Sequence, residues 1–365
     1  MKRLFIRLSS LGDVILCASA LEVVPESRTT RNVTSNPTAS LSSPFENHWV
    51  VADEFGDLLE GHPRISRLWR FKRRSGFGAW IALARQLHSE KFDEVIDLHR
   101  SLRSTILISL LRSWSLLQMK MPPRVGRLSK PRVSLWGYFW LKKYWPKALR
   151  PRALSSRAAL LVGGRGDEHA NFTHLVVRGA DVFEKESSLN ERLKSRSFVC
   201  LMPGSLWPGK RFSVARFAEI AEQLREPVVV LGTNRDAESV ELVKLLEQRG
   251  VSFVSGVGKW DLSQTAAVLA RARAYLGNDT GLAHLAEAVG TPAHVVFGPT
   301  MPDMGFGPWR PESHSYGAEL GCRPCGKDGR YCYRSTKFLC LQKIDSSQIL
   351  RGLGRDPGTV KARGL

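Results

Sequence analysis

Short apolar runs alternate with helical stretches along this chain, a pattern that restricts it to parallel α/β sheets, because parallel strands need a crossover helix between them. Leu4 to Leu8 reads as a first strand, Ser9 to Gly12 as a loop, and Asp13 to Val24 as a helix with apolar positions at helical spacing. A Ser/Thr/Asn-rich loop, Thr29 to Ser43, follows. Strands at His48 to Val51 and Phe92 to Leu98 then flank helices around Phe55 to Glu60 and Ala79 to Ser89. The arrangement restarts at Phe198 to Met202 and continues through Pro227 to Leu231, Ser252 to Val254, Ala272 to Gly277 and Ala293 to Phe297. Between the halves, residues 150 to 196 are less regular, and Leu161-Val162-Gly163-Gly164-Arg165-Gly166 resembles a hinge. A length of 365 residues exceeds one small core. The expectation is an α/β protein of two doubly wound, Rossmann-like domains, 1–175 and 176–365, facing across a cleft with ligands at the carboxyl ends of the strands.

Charge narrows the class of partner. The formal net charge is +20, which favours something acidic. From Leu98 through Gly166 there is no Asp or Glu, yet fifteen Lys and Arg occur. Within that region, Val133 to Trp145 interleaves aromatics with lysines, a mixture that suits a membrane headgroup layer or an anionic amphiphile. The same aromatics also fit a buried face under solvated cations. No helix-turn-helix, RNP-type or zinc-finger spacing accompanies them, so nucleic acid is not the expected partner. Ile106 to Leu117 is broken by Arg112 and is too short to span a bilayer. Met1-Lys2-Arg3-Leu4 leads straight into a strand without a signal-peptide cleavage pattern, which points to the cytoplasm and to peripheral membrane contact.

The loops after strands hold the candidate chemistry. Asp279-Thr280-Gly281-Leu282-Ala283-His284 opens a helix, where unpaired N–H groups and the positive end of the macrodipole suit a diphosphate. Gly281 permits close backbone approach, while Asp279 and Thr280 can cap the helix or bond a sugar hydroxyl. The plainer alternative makes them caps only and His284 a surface histidine. In Pro203 to Phe212, small residues free the backbone to wrap an anion and Lys210 can neutralise phosphate, or be an ordinary solvated lysine. Gly232-Thr233-Asn234 ends another strand at the same rim. In Arg7 to Asp13, Ser10 and Asp13 fit a capping box, and a cleft-facing Asp13 can equally take a proton from an attacking sugar hydroxyl.

Together, Arg7 to Asp13, Asp97 to Ser104, Pro203 to Lys210, and Asp279 to His284 through Phe297-Gly298-Pro299-Thr300 resemble glycosyltransferase family 9, the lipopolysaccharide heptosyltransferases. The similarity runs from the first strand to about residue 345. It implies a GT-B fold and inverting transfer of heptose from ADP-heptose to the inner core of a lipid A/Kdo-type lipopolysaccharide acceptor. No metal or other cofactor is implied; the donor is the only nucleotide. By likeness, Asp13 is the general base. Ser205 and Lys210 bind the diphosphate or the sugar, and Gly232, Thr233, Asp279, Thr280, Gly281 and His284 hold the nucleotide sugar, with Trp260 at the adenine. Ser10, Gly12, His99, Arg100 and Arg103 fall on the acceptor side, the last three either meeting acidic groups of the acceptor or lying on the surface. The resemblance places the protein at the inner face of the inner membrane, on an anionic membrane surface.

Two departures and one cluster stand apart. Leu206 occupies a position where the family often has a small hydroxyl residue, and Pro25 to Asn47 is longer and more polar than the family pattern. Cys322, Cys325, Cys332 and Cys340 gather near the end, where Cys-x2-Cys suits a tetrahedral zinc and reduced, inert thiols are the other reading. Two further functions remain consistent with these residues: the same fold with another nucleotide sugar, and a non-catalytic binder of anionic glycolipid.

Overall fold

The computed structural model describes residues 1–23, 45–164, 175–185 and 197–354. The chain forms two compact units, Met1–Lys130 with Leu154–Val176, and Pro131–Ala153 with Val177–Leu365. Residues 131–153 thus leave the first unit for the second before the chain returns. The expected loop from Thr29 to Ser43 lies outside the described residues.

In the first unit β1 (Lys2–Ile6), β2 (Glu46–Ala52), β3 (Arg67–Phe71), β4 (Glu94–Asp97) and β5 (Arg124–Arg127) form one parallel sheet in the order β3-β2-β1-β4-β5. Its helices are α1 (Leu11–Glu22), the single turn α2 (Gly56–Leu59), α3 (Phe77–Ser89) and α4 (Leu102–Leu117). After α5 (Arg132–Leu141), which belongs to the other unit, α6 (Leu154–Leu161) completes it. Strand side chains alternate between faces. Leu4 and Ile6 join Val50 and Val95 in a core closed by Leu83 and Leu87 of α3 and Leu107 and Leu111 of α4. Phe5 takes the intervening position and stacks on Trp49, ring centroids 5.4 Å apart. Helix α1 packs on α6, where the Ser19 hydroxyl donates to the Ser155 carbonyl at 2.9 Å.

The second unit repeats the design. β6 (Val199–Met202), β7 (Val228–Val230), β8 (Phe253–Ser255), β9 (Ala274–Asn278), β10 (Ala293–Val296) and β11 (His314–Tyr316) form a parallel sheet in the order β11-β10-β9-β6-β7-β8. Around it run α7 (Val182–Lys185), α8 (Val214–Leu224), α9 (Ala237–Gln248), α10 (Leu262–Arg271), α11 (Gly281–Ala288), α12 (Leu339–Gln342) and α13 (Ser346–Gly352). Helix α8 is strongly amphipathic and buries Phe217, Ile220 and Leu224 against Val199, Val228 and Leu276 of the sheet. Among the described residues no helix is long and apolar enough to cross a membrane.

In each sheet the strand order reverses at one place, between β1 and β4 and between β6 and β9. Loops leaving the carboxyl ends of such neighbours diverge to opposite faces and open a crevice, where ligands of open α/β sheets bind. All four loops at these two crevices are ones the sequence marks as functional.

Candidate functional site

At the β1/β4 crevice of the first unit, Arg7 is buried, with its side chain 10% exposed. Its guanidinium donates to the Leu98 carbonyl at 2.5 Å through Nη1 and meets Asp13 Oδ2 at 2.5 Å through Nη2. The same Asp13 oxygen accepts from the Ser10 backbone N–H at 3.2 Å and from the Ser10 hydroxyl at 3.0 Å. Asp13 thus caps the first turn of α1, and its carboxylate stays partly open, with a side-chain exposure of 26%. Gly12 is buried between them.

Asp97, wholly buried at the end of β4, shapes the neighbouring loop by accepting the N–H groups of His99 at 3.1 Å and Arg100 at 2.8 Å and the Ser104 hydroxyl at 3.1 Å. That turn presents the His99 ring, whose Nδ1 is buried without a hydrogen-bond partner. Burial, with the Arg7 cation second, pushes the His99 imidazole down to about 4, so it is neutral at physiological pH. Arg100, in a left-handed conformation at φ +47°, reaches the Leu128 carbonyl at 3.3 Å. Arg103 is exposed on the first turn of α4.

At the β6/β9 crevice of the second unit, Lys210 Nζ lies 2.6 Å from Asp279 Oδ2, and the Thr300 hydroxyl donates to the same oxygen at 2.8 Å. Behind this pair Asn278, fully buried, donates to the Pro203 carbonyl at 2.6 Å and accepts the Phe212 N–H at 3.1 Å. One side chain thereby ties the start and end of the lysine-bearing loop to β9. Ser205 is 8% exposed, and its carbonyl accepts from Arg211 Nε at 2.8 Å. Leu206 beside it is 77% exposed. Thr280 is the N-cap of α11 without a side-chain capping bond, and the Ala283 N–H donates to its carbonyl at 3.2 Å, which leaves the amides of Gly281 and Leu282 as anion donors. His284 is no surface histidine: it is 6% exposed and stacks on Trp309, centroids 5.7 Å apart and planes 11° from parallel. Glu287, a turn later and fully buried, accepts the N–H groups of Trp309 and Arg310 and the Ser313 hydroxyl, and so holds Trp309 against His284.

The third loop of this rim is built differently. Gly232 has φ +150°, and a Cβ there would come 2.4 Å from Ser239 Oγ, so the bend after β7 requires glycine. The N–H and hydroxyl of Thr233 both donate to Asp236, at 2.7 and 2.8 Å, a turn that precedes α9. Trp260 lays its ring on Gly256, just ahead of the capping box of Asp261 and Gln264 that starts α10.

The four cysteines near the end of the chain are free thiols. Among the described residues no group of three or more His, Cys, Asp or Glu is placed to hold a metal ion. Cys325 Sγ donates to the Cys322 carbonyl at 3.1 Å, Cys332 Sγ accepts the Phe338 N–H at 3.3 Å, and Cys340 is packed into the core. Burial pushes the Cys325 thiol up to about 12.

Sequence reasoning overlooked Arg7, Asn278 and Thr300 as site residues. Asn278 ends β9 directly before Asp279, and a polar side chain at the buried end of an apolar strand is the signal that marks it.

Two parallel α/β units, each with its polar loops at the strand-order reversal, are the architecture of a GT-B glycosyltransferase. Residues 80–332 match the model of glycosyltransferase family 9 (heptosyltransferase). The lipopolysaccharide heptosyltransferase 1 of Pseudomonas aeruginosa is 27% identical over 342 residues, which span 90% of this chain and 86% of that protein. Among solved structures, the family 9 glycosyl transferase of Veillonella parvula superposes with a TM-score of 0.70 at 19% identity, covering 97% of this chain and 96% of that one. The ADP-heptose lps heptosyltransferase II of E. coli superposes with a TM-score of 0.68 at 21% identity, covering 97% and 98%. The superpositions bear on the fold, and the match over residues 80–332 on the family. This chain belongs to glycosyltransferase family 9 and is a glycosyltransferase.

Proposed function

We propose that this enzyme transfers heptose from ADP-heptose to the inner core of a lipid A/Kdo-type lipopolysaccharide, with inversion at the anomeric carbon. The Lys210–Asp279 pair at the β6/β9 crevice carries the assignment, because it sets a cation and an N-cap turn where a diphosphate binds in such sheets. Asp13 is the general base: it takes the proton of the acceptor hydroxyl as that oxygen attacks the anomeric carbon. The bond from that carbon to the diphosphate breaks, and ADP leaves with its charge met by Lys210 and the first amides of α11. Ser205, Gly232, Thr233, Gly281 and His284 line the donor side and Trp260 the adenine. Ser10, Gly12, His99, Arg100 and Arg103 serve the acceptor. No step calls for a metal or another cofactor. The acceptor is lipid-borne, so the enzyme works in the cytoplasm at the inner face of the inner membrane, on an anionic surface.

A thermal-shift screen of nucleotide sugars tests the donor. ADP-heptose at a hundred times its Kd should stabilise the protein by about 2.7 kcal/mol, with UDP- and GDP-sugars without effect. A melting point unmoved by every ADP-sugar contradicts the assignment. A shift produced by an ADP-hexose alone would move it to another donor.

A further inference from the structure

Helix α5 turns large aromatic side chains toward solvent rather than into the core. Trp136 and Trp140, four residues apart, share one side of α5, and Tyr144 follows in the short turn Lys142–Tyr144 after the helix ends. They are 65, 71 and 76% exposed, and the two indoles are tilted 44° to one another with centroids 5.9 Å apart. Tyr138 anchors the helix to its own unit, 2% exposed, with the Arg150 guanidinium 4.8 Å from its ring centre. The outward rings are therefore not demanded by packing. Exposed clusters of this kind on soluble proteins mark contact sites.

The charges around the rings select the partner. Arg132, Lys143 and Lys147 are exposed on the same short segment, and Lys143 Nζ stands 5.2 Å from the Tyr144 ring centre. The absence of any Asp or Glu from Leu98 through Gly166 leaves these cations unopposed within their own stretch of sequence. Indole and phenol rings with an apolar body and a polar edge settle at the headgroup level of a bilayer, and flanking lysines and arginines meet lipid phosphates.

We propose that α5 and the turn after it, residues 132–147, form the surface by which this protein docks on an anionic lipid bilayer. The proposal deepens the functional assignment and rests on it for its purpose, a lipid-borne acceptor, but its test does not require turnover. Flotation of the full chain with phosphatidylglycerol-containing vesicles should carry the protein to the top of the gradient. Pure phosphatidylcholine vesicles, or salt at about 0.5 M, should leave it below. The W136A/W140A and K143E/K147E variants should each lose about tenfold or more in bound fraction while keeping the wild-type melting temperature and wild-type transfer to a deacylated, soluble acceptor. Variants that float like wild type, or a wild type that never floats, would overturn the proposal. So would a dimer in solution that W136A/W140A dissolves, because the face would then serve self-association. Absence of transfer to the soluble acceptor by a wild type that floats would count against the proposed reaction and leave the docking surface standing.

Discussion

Arg7 Nη2 and Asp13 Oδ2 stand 2.5 Å apart at the carboxyl end of β1, and the same guanidinium is pinned by the Leu98 carbonyl beyond β4. A planar fork with several donors can serve both partners at once, which a lysine ammonium on a flexible stem does less well. Arg7 is thus a positioning residue that aims the proposed base. The Arg7→Lys variant should lower kcat roughly 10- to 100-fold, the worth of one charge-assisted hydrogen bond, with donor affinity unchanged. Steady-state kinetics over a range of pH would check this. A purely structural role would instead lower the melting temperature and leave the profile of the surviving enzyme unaltered.

Lys210 and Asp279 form the complementary relationship in the second unit. Removing the cation while keeping the stem, as Lys210→Met, should weaken ADP-heptose binding roughly 10- to 100-fold. Isothermal titration would measure it. Affinity within twofold of wild type would place the diphosphate elsewhere.

Asn278 satisfies two buried backbone groups with one side chain. In the Asn278→Ala variant the Pro203 carbonyl and the Phe212 N–H both lose their partner, and each buried orphan costs about 1–3 kcal/mol. Urea unfolding should show a loss in that range or above it, together with weakened donor binding, since Lys210 sits on the loop these bonds hold. A stable variant with intact donor affinity would mean that the loop is held by other contacts.

Glu287 gives a pH signature with a definite sign. Burial raises its carboxyl from 4.5 to about 7, against the hydrogen bonds from Arg310, Ser313 and Trp309. Between those two values the folded chain holds the proton and the unfolded chain does not, so this group's contribution to stability falls as pH rises through that window. The Glu287→Gln variant lacks that loss. Its stability relative to wild type should therefore improve by on the order of 3 kcal/mol from about pH 4 to about pH 8. His294, pushed down to about 3 by burial and then by His314 and Arg273, acts oppositely in both proteins and cancels in the comparison. Parallel stability curves for the two proteins would show that Glu287 titrates as an exposed carboxyl does.

What was legible in the sequence follows the physics of burial. A central strand such as Phe198 to Met202 is a continuous apolar run because both faces of the sheet are covered, and Ala293 to Phe297 departs from that only at the buried His294. The overlooked strands are edges: Arg67–Phe71, Arg124–Arg127 and His314–Tyr316 each pair on one side only, and their Arg, His and Ser residues conceal the strand period. Loops with glycine, capping residues and a lone charge reveal themselves by composition, so Arg7 to Asp13 and Asp279 to His284 were readable. Partnerships were not. That Lys210 meets Asp279, that Asn278 ties Pro203 to Phe212, and that Glu287 braces Trp309 depend on strands adjacent in space and distant in sequence. Nor does periodicity tell whether an aromatic stripe faces in or out, and α5 divides its own, burying Tyr138 and exposing Trp136 and Trp140.

Incubation with ADP-heptose and a deep-truncated lipopolysaccharide, read as ADP release alongside the anomeric configuration of the product, tests the central claim most directly. The wild type should release ADP only when both substrates are present and yield inverted heptosyl acceptor, while the Asp13→Ala variant binds ADP-heptose normally and releases none. Near-normal turnover by Asp13→Ala, or no ADP from the wild type with both substrates supplied, would contradict it.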